Sequence, residues 1–169
     1  AMLLTLRGIP TVYYGDEQGF ISDGNDQLAR EDMFASRVDA YNDNDLLGTD
    51  ATAADENYDT AHPLYRTIAA LSAIRRGNPA LRRGLTEIGT FDREAGLFSL
   101  TRRDPESGQA VLLVFNTGAG PITRNVEIDM GATRLNALHG DCPAAPTAPG
   151  SARFELPAFG WAICELAQD

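Results

Sequence analysis

At 169 residues the chain has room for one large domain, or for a small domain with an attached segment. Its composition, 43% hydrophobic and 22% charged, is that of a globular protein, and no apolar run nears the roughly 18 residues of a membrane span. A formal charge of −10 argues against a polyanionic partner, because phosphate contacts need clustered Lys and Arg.

Ala1–Gly8 reads as the last turns of an all-round apolar helix, with Arg7 in its final turn and Gly8 as the stop. Ile9–Tyr14 is β-branched and aromatic on both faces, the pattern of a parallel strand buried between layers, and Gly15 closes it. From Asp16 to Thr60 the chain is rich in Asp, Asn, Gly and Thr and holds no long period, so a functional loop is expected there.

Pro63–Arg76 carries the clearest helical period, with Leu64, Ile68 and Leu71 on one face. Arg75 and Arg76 load its last turn, and Gly77 with Pro79 stops it. After Leu81 the period changes to two. Strands are expected at Leu85–Phe91, Leu97–Arg103, Ala110–Asn116, Thr123–Ile128, Thr133–Ala137, Arg153–Leu156 and Trp161–Leu166. Turn signals such as Asp104–Gly108 and Thr117–Pro121 separate them, which points to an all-β antiparallel sandwich.

Cys142 and Cys164 allow one disulfide at most. Their spacing leaves open a bridge, in an exported protein, or two buried thiols. No signal peptide precedes the helix, and the compartment stays open between a secreted or periplasmic parent and others. Asp23–Asp26 and Asn42–Asp45 lack the spacing of a calcium loop and read as solvated turns, so neither metal nor cofactor is expected. Trp161 with Phe159 could form a sugar-stacking platform. Apolar residues on both faces of its strand favour a core position, and His139 reads as a strand-end residue.

Four motifs, in order, carry a resemblance. Arg7-Gly8-Ile9-Pro10-Thr11-Val12-Tyr13-Tyr14-Gly15-Asp16-Glu17 resembles the eighth-strand signature of the α-amylase family, glycoside hydrolase family 13. Arg30-Glu31-Asp32-Met33-Phe34 resembles a stretch of the loop after that strand. His62–Leu81 resembles the helix that follows, and Leu156-Pro157-Ala158-Phe159-Gly160-Trp161 is similar to the closing strand of the family's C-terminal sandwich.

The resemblance implies an α+β fragment. Residues 1–81 would hold the last β/α unit of a TIM barrel, and 82–169 the all-β antiparallel sandwich. It implies retaining hydrolysis of starch-like α-1,4-glucans by the parent, with the α-glucan as partner. The family's catalytic carboxylates precede the part present here, so no catalytic residue is expected in this chain. Arg30 and Phe34 become candidate substrate contacts, and Gly15, Asp16 and Glu17 a structural motif in which the carboxylates bond backbone N–H groups. A barrel strand without its neighbours leaves two open edges, so Met2–Tyr14 is expected to be disordered or to pair with a second copy.

Overall fold

A computed structural model describes residues 1–21, 24–43 and 45–168. The chain forms two compact units. A sandwich unit takes Ile74 onward together with Met2 and Leu4–Gly8, and a loop unit takes Ile9–Ala73 with Ala1 and Leu3.

In the sandwich unit the period-two stretches become β1 (Leu85–Asp92), β2 (Leu97–Arg103), β3 (Ala110–Asn116), β4 (Ile122–Glu127), β5 (Arg134–His139), β6 (Ser151–Leu156) and β7 (Trp161–Ala167). All pair antiparallel, in one sheet of order β1-β2-β3-β7-β5 and a second of β4-β6. Alternation decides which side faces inward. In β6, Ala152, Phe154 and Leu156 are buried while Arg153 and Glu155 face water. The register Ala110↔Leu166, Leu112↔Cys164, Val114↔Ala162 sets these six side chains on one face of the larger sheet. They meet Val126, Phe154 and Leu156 of the smaller sheet in one apolar cluster.

β3 is buried along its whole length. A short helix, α3 (Pro79–Arg83), packs on β2 and β3, with Ala80 and Leu81 fully buried. The sequence reading ended helical structure at Gly77 and missed this turn. Pro79 does stop the preceding helix, but it also opens a new one, because Pro is accommodated at the first helical position after an extended Asn78.

The opening helix α1 spans Met2–Thr5, shorter than expected. Two guanidiniums gather the carbonyls at and beyond its end. Arg75 donates to Leu4 O at 3.1 Å and Gly8 O at 2.8 Å, and Arg102 to Thr5 O at 3.1 Å and Gly84 O at 2.8 Å. Arg102 is 1% exposed, and burial, reinforced by nearby Arg75 and Arg7, lowers its pKa. Carbonyl dipoles are its hydrogen-bond acceptors here.

In the loop unit, α2 (Pro63–Gly77) begins where its period begins. The expected strand Ile9–Tyr14 is not formed. Ile9 is 94% exposed, Val12, Tyr13 and Tyr14 are exposed as well, and no strand pairing involves them among the described residues. A strand needs a neighbouring strand for its backbone groups, and β-propensity alone cannot supply one. Within Met2–Tyr14, the segment expected to be disordered or to pair with a second copy, Leu4 and Thr5 are buried and Ile9, Val12, Tyr13 and Tyr14 are exposed in the single chain. Among the described residues no helix is long and apolar enough to cross a membrane.

Candidate functional site

The eighth-strand motif ends in a compact turn. Gly15 adopts φ 92°, and a Cβ there would lie about 3.1 Å from the Phe20 ring, so the position favours glycine on both counts. A 3-10 turn follows over Asp16–Gln18. Its two carboxylates serve the turn itself: Tyr13 N–H donates to Asp16 Oδ2 at 2.9 Å, and Gly15 N–H to Glu17 Oε2 at 3.1 Å.

Gln18, which the sequence reading passed over, closes the loop. Its Nε2 donates to Asp59 O at 3.1 Å, and its Oε1 accepts from Asp59 N–H at 3.0 Å, a reciprocal pair joining residues 41 apart. Asn57, also buried, donates to Thr52 O and Asp55 O, both at 3.0 Å. His62 caps α2, its Nδ1 accepting from Leu64 N–H at 3.2 Å. Buried amides spanning a long loop leave no local sequence signature. Only their position between turn residues hints at them.

Val12, Tyr13, Tyr14, Glu17, Tyr65 and Ile68 line an open groove of about 500 Å³. The Tyr13 and Tyr14 rings lie 4.5 Å apart. Desolvation, then a hydrogen bond with Tyr13 and the nearby negative charge of Asp32, raises the Tyr14 phenol pKa, and Arg30 opposes the rise. Arg30 is therefore within electrostatic reach of Tyr14. Its side chain is 63% exposed and pairs with Asp26 at 3.6 Å, a contact worth little in water. Phe34 is 68% exposed and meets Tyr58 edge-on at 5.6 Å, so it packs in no core.

Glu17 is the one acid lining the groove. Glycoside hydrolysis needs two carboxyl groups roughly 5 Å apart for retention, and the groove supplies half of such a pair. Aromatic rings and hydroxyls can hold a neutral polyol without cutting it. Among the described residues no group of acidic, His or Cys side chains gathers at a metal-holding spacing. Asp23 and Asn44, from the two Asp/Asn-rich stretches, lie outside the described residues. Within the first stretch Asn25 Oδ1 accepts from Gln27 N–H and Leu28 N–H, an ordinary turn.

On the sandwich, Cys142 and Cys164 are bonded as a disulfide with Cα atoms 6.0 Å apart. The core reading for Trp161 and Phe159 needs correction. Ile163 is fully buried, but Phe159 is 64% exposed and Trp161 half-buried, its ring stacked on that of His139 at 5.6 Å and 8° between planes. The strand is apolar on both faces, yet Trp161 is its first residue and is only half-buried.

No family model matches the chain. An alpha-amylase from Streptomyces lividans is 45% identical over 115 residues, 68% of this chain and 12% of that protein. A beta/alpha-amylase from Paenibacillus polymyxa is 36% identical over 114 residues, 68% of this chain and 7% of that protein. A cyclomaltodextrin glucanotransferase from Bacillus sp. (strain 38-2) is 31% identical over 172 residues, taking in all of this chain and 21% of that protein. The crystal structure of an Anoxybacillus alpha-amylase matches 99% of this chain and 31% of its own at TM-score 0.68 and 20% identity, which bears on the fold.

The chain thus spans a small fraction of the relatives it matches. Its fold is a helix-and-loop segment followed by an antiparallel sandwich, as in the C-terminal part of amylase-type enzymes. The chain belongs to the α-amylase family, glycoside hydrolase family 13, and represents the C-terminal part of such an enzyme.

Proposed function

We propose that the chain is the non-catalytic C-terminal portion of a retaining glycoside hydrolase acting on α-1,4-glucans. The observation that carries this reading is the 45% identity to the Streptomyces lividans alpha-amylase, joined to a groove with a single acid. In this reading residues 1–81 close the barrel and 82–169 form the sandwich domain. Arg30 and Phe34 border the glucan in the whole enzyme, and Tyr13, Tyr14 and Glu17 form part of the wall that the missing barrel completes. Soluble starch incubated with residues 1–169 should release no reducing ends, whereas a longer product of the same coding region, with the barrel, should release them readily. Turnover by residues 1–169 at a comparable rate would remove the reading, because a second acid would then have to exist here.

The exposed Ile9, Val12, Tyr13 and Tyr14 support a further part of the proposal. Barrel neighbours cover them in the parent, and a second copy covers them in the isolated chain. Light scattering on the same sample should give a dimer or larger, and a monomer would discard this part alone.

A further inference from the structure

The chain has no lysine, and its 14 strongly basic residues are all Arg. On the sandwich these guanidiniums are spent on carboxylates. Arg83 pairs with Asp104 and Glu106, Arg103 with Glu87 and Asp129, and Arg124 with Asp92. Asp141 and Glu155 are left without one. Both are exposed, and among the described residues neither carboxylate has an ion-pair or hydrogen-bond partner. Arg153, two residues before Glu155 on β6, does not pair with it.

These two acids share a cleft of about 220 Å³ with His139, Pro157 and Trp161. It forms where β5, β6 and β7 reach the same end of the sandwich: His139 ends β5, Glu155 lies near the end of β6, and Trp161 starts β7. Cross-strand pairing of His139 with Ile163 brings the imidazole beside the indole, and the two rings stack with 8° between planes. Gly140 makes the close approach feasible. It has φ 70°, and a Cβ there would strike the Trp161 carbonyl. Sites that take a whole small molecule run to roughly 300–1,000 Å³, so this cleft suits the head of one side chain.

Two unpaired carboxylates beside an aromatic stack define what that head must be. They repel an anion, while a cation is drawn by the carboxylates and by the ring face alike. A guanidinium fits better than an ammonium. It is planar and weakly hydrated, so it can lie flat on a ring while the N–H groups at its edge fork onto carboxylates. The rim adds an apolar contact. Gly160 N–H donates to Pro157 O at 3.0 Å and Phe159 N–H to Gly118 O at 3.1 Å, which fixes a turn that leaves the Phe159 ring 64% exposed. A residue flanking the guanidinium-bearing one would meet that ring.

We infer that this cleft is a docking site for an arginine side chain of a partner polypeptide. Its guanidinium lies against the Trp161 and His139 stack and donates to Asp141 and Glu155, and an apolar neighbour in the partner covers Phe159. The site uses no residue of the loop-unit groove and does not depend on the proposed function.

Trp161 is the sole tryptophan, so its fluorescence reports this end of the sandwich. In residues 1–169, N-acetylarginine amide should change the emission saturably. Its lysine counterpart should bind several-fold more weakly, and its neutral citrulline counterpart should leave the emission unchanged. A blocked tripeptide with arginine between two leucines should bind several-fold tighter than the amide, and Phe159→Ala should remove that advantage. Glu155→Gln and Asp141→Asn, at exposed positions where the far-ultraviolet circular dichroism should stay as it is, should each weaken both arginine probes several-fold. Equal responses to arginine and citrulline would overturn the inference. A tripeptide no tighter than the amide would reduce the occupant to a small free cation and overturn the polypeptide partner. Maltoheptaose shifting the emission where the arginine probes do not would give the cleft to a neutral ring and overturn the inference, as would silence from every probe.

Discussion

The two units stabilise themselves by different means. The sandwich unit gathers Leu112, Val114, Val126, Phe154, Leu156 and Ala162 into a continuous cluster between two sheets. The loop unit buries only Leu46, Ala53 and Leu71 among the apolar residues of Ile9–Ala73, while Ile9, Tyr13, Tyr14, Phe34, Tyr58 and others face water. It relies instead on turn-by-turn hydrogen bonds, such as Gln18 with Asp59 and Asn57 with Thr52 and Asp55. Apolar burial is cooperative, whereas each hydrogen bond replaces one made to water and returns a small net gain. The difference teaches that the sandwich unit carries an apolar core of its own, whereas the loop unit leaves much of its apolar surface in water.

That contrast can be broken or sharpened. The largest effect is expected from Phe154→Ala, which empties the middle of the sandwich core. It should cost about 3–5 kcal/mol, read as a lower urea midpoint of the β-sheet circular dichroism. A loss below about 1 kcal/mol would deny that one core holds the two sheets together.

Gln18→Ala should cost the loop unit about 1–3 kcal/mol by leaving the Asp59 N–H without its partner, while Asp59 O keeps the bond from His62 N–H. Hydrogen exchange at the Asp59 amide should quicken while amides of β3 and β7 keep their protection. Equal quickening in both places would mean that the units unfold as one.

The smallest effect is confined to acid. Asp104 is inaccessible to solvent, and its carboxylate accepts from Ser107 Oγ at 2.6 Å and from Arg83 Nε at 3.0 Å. The Ser107 hydroxyl first, and Arg83 next, hold its pKa at about 2 against an ordinary 3.8. Because the folded value is the lower one, the stabilisation is complete above about pH 4 and is lost as pH falls towards 2. Urea midpoints measured from pH 5 to 2 should fall less steeply in Asp104→Asn than in the parent chain. Parallel slopes would dissociate Asp104 from acid sensitivity.

The sandwich was legible because each strand declares its inner face by alternation, and Asp, Pro and Gly mark the turns. β2 and β3 begin and end where the pattern begins and ends. Ile9–Tyr14 misled for the opposite reason. Its composition fits burial between layers, while strand formation depends on neighbours outside the segment. The α-amylase motifs located the turn at Gly15–Glu17, since a φ of 92° leaves a mark in the residue type itself. They could not reveal Gln18 with Asp59, or His139 against Trp161. Both depend on which distant residues meet, and that follows from register and loop closure, not from local pattern.

The bond between Cys142 and Cys164 spans 22 residues and fastens the Pro-rich stretch after β5 to β7, a strand already laddered on both sides by β3 and β5. Breaking it would leave those ladders in place and free the stretch alone. Reduction of the bond by a small thiol would therefore loosen that stretch without opening the sheet, while heat or denaturant must first defeat the ladders.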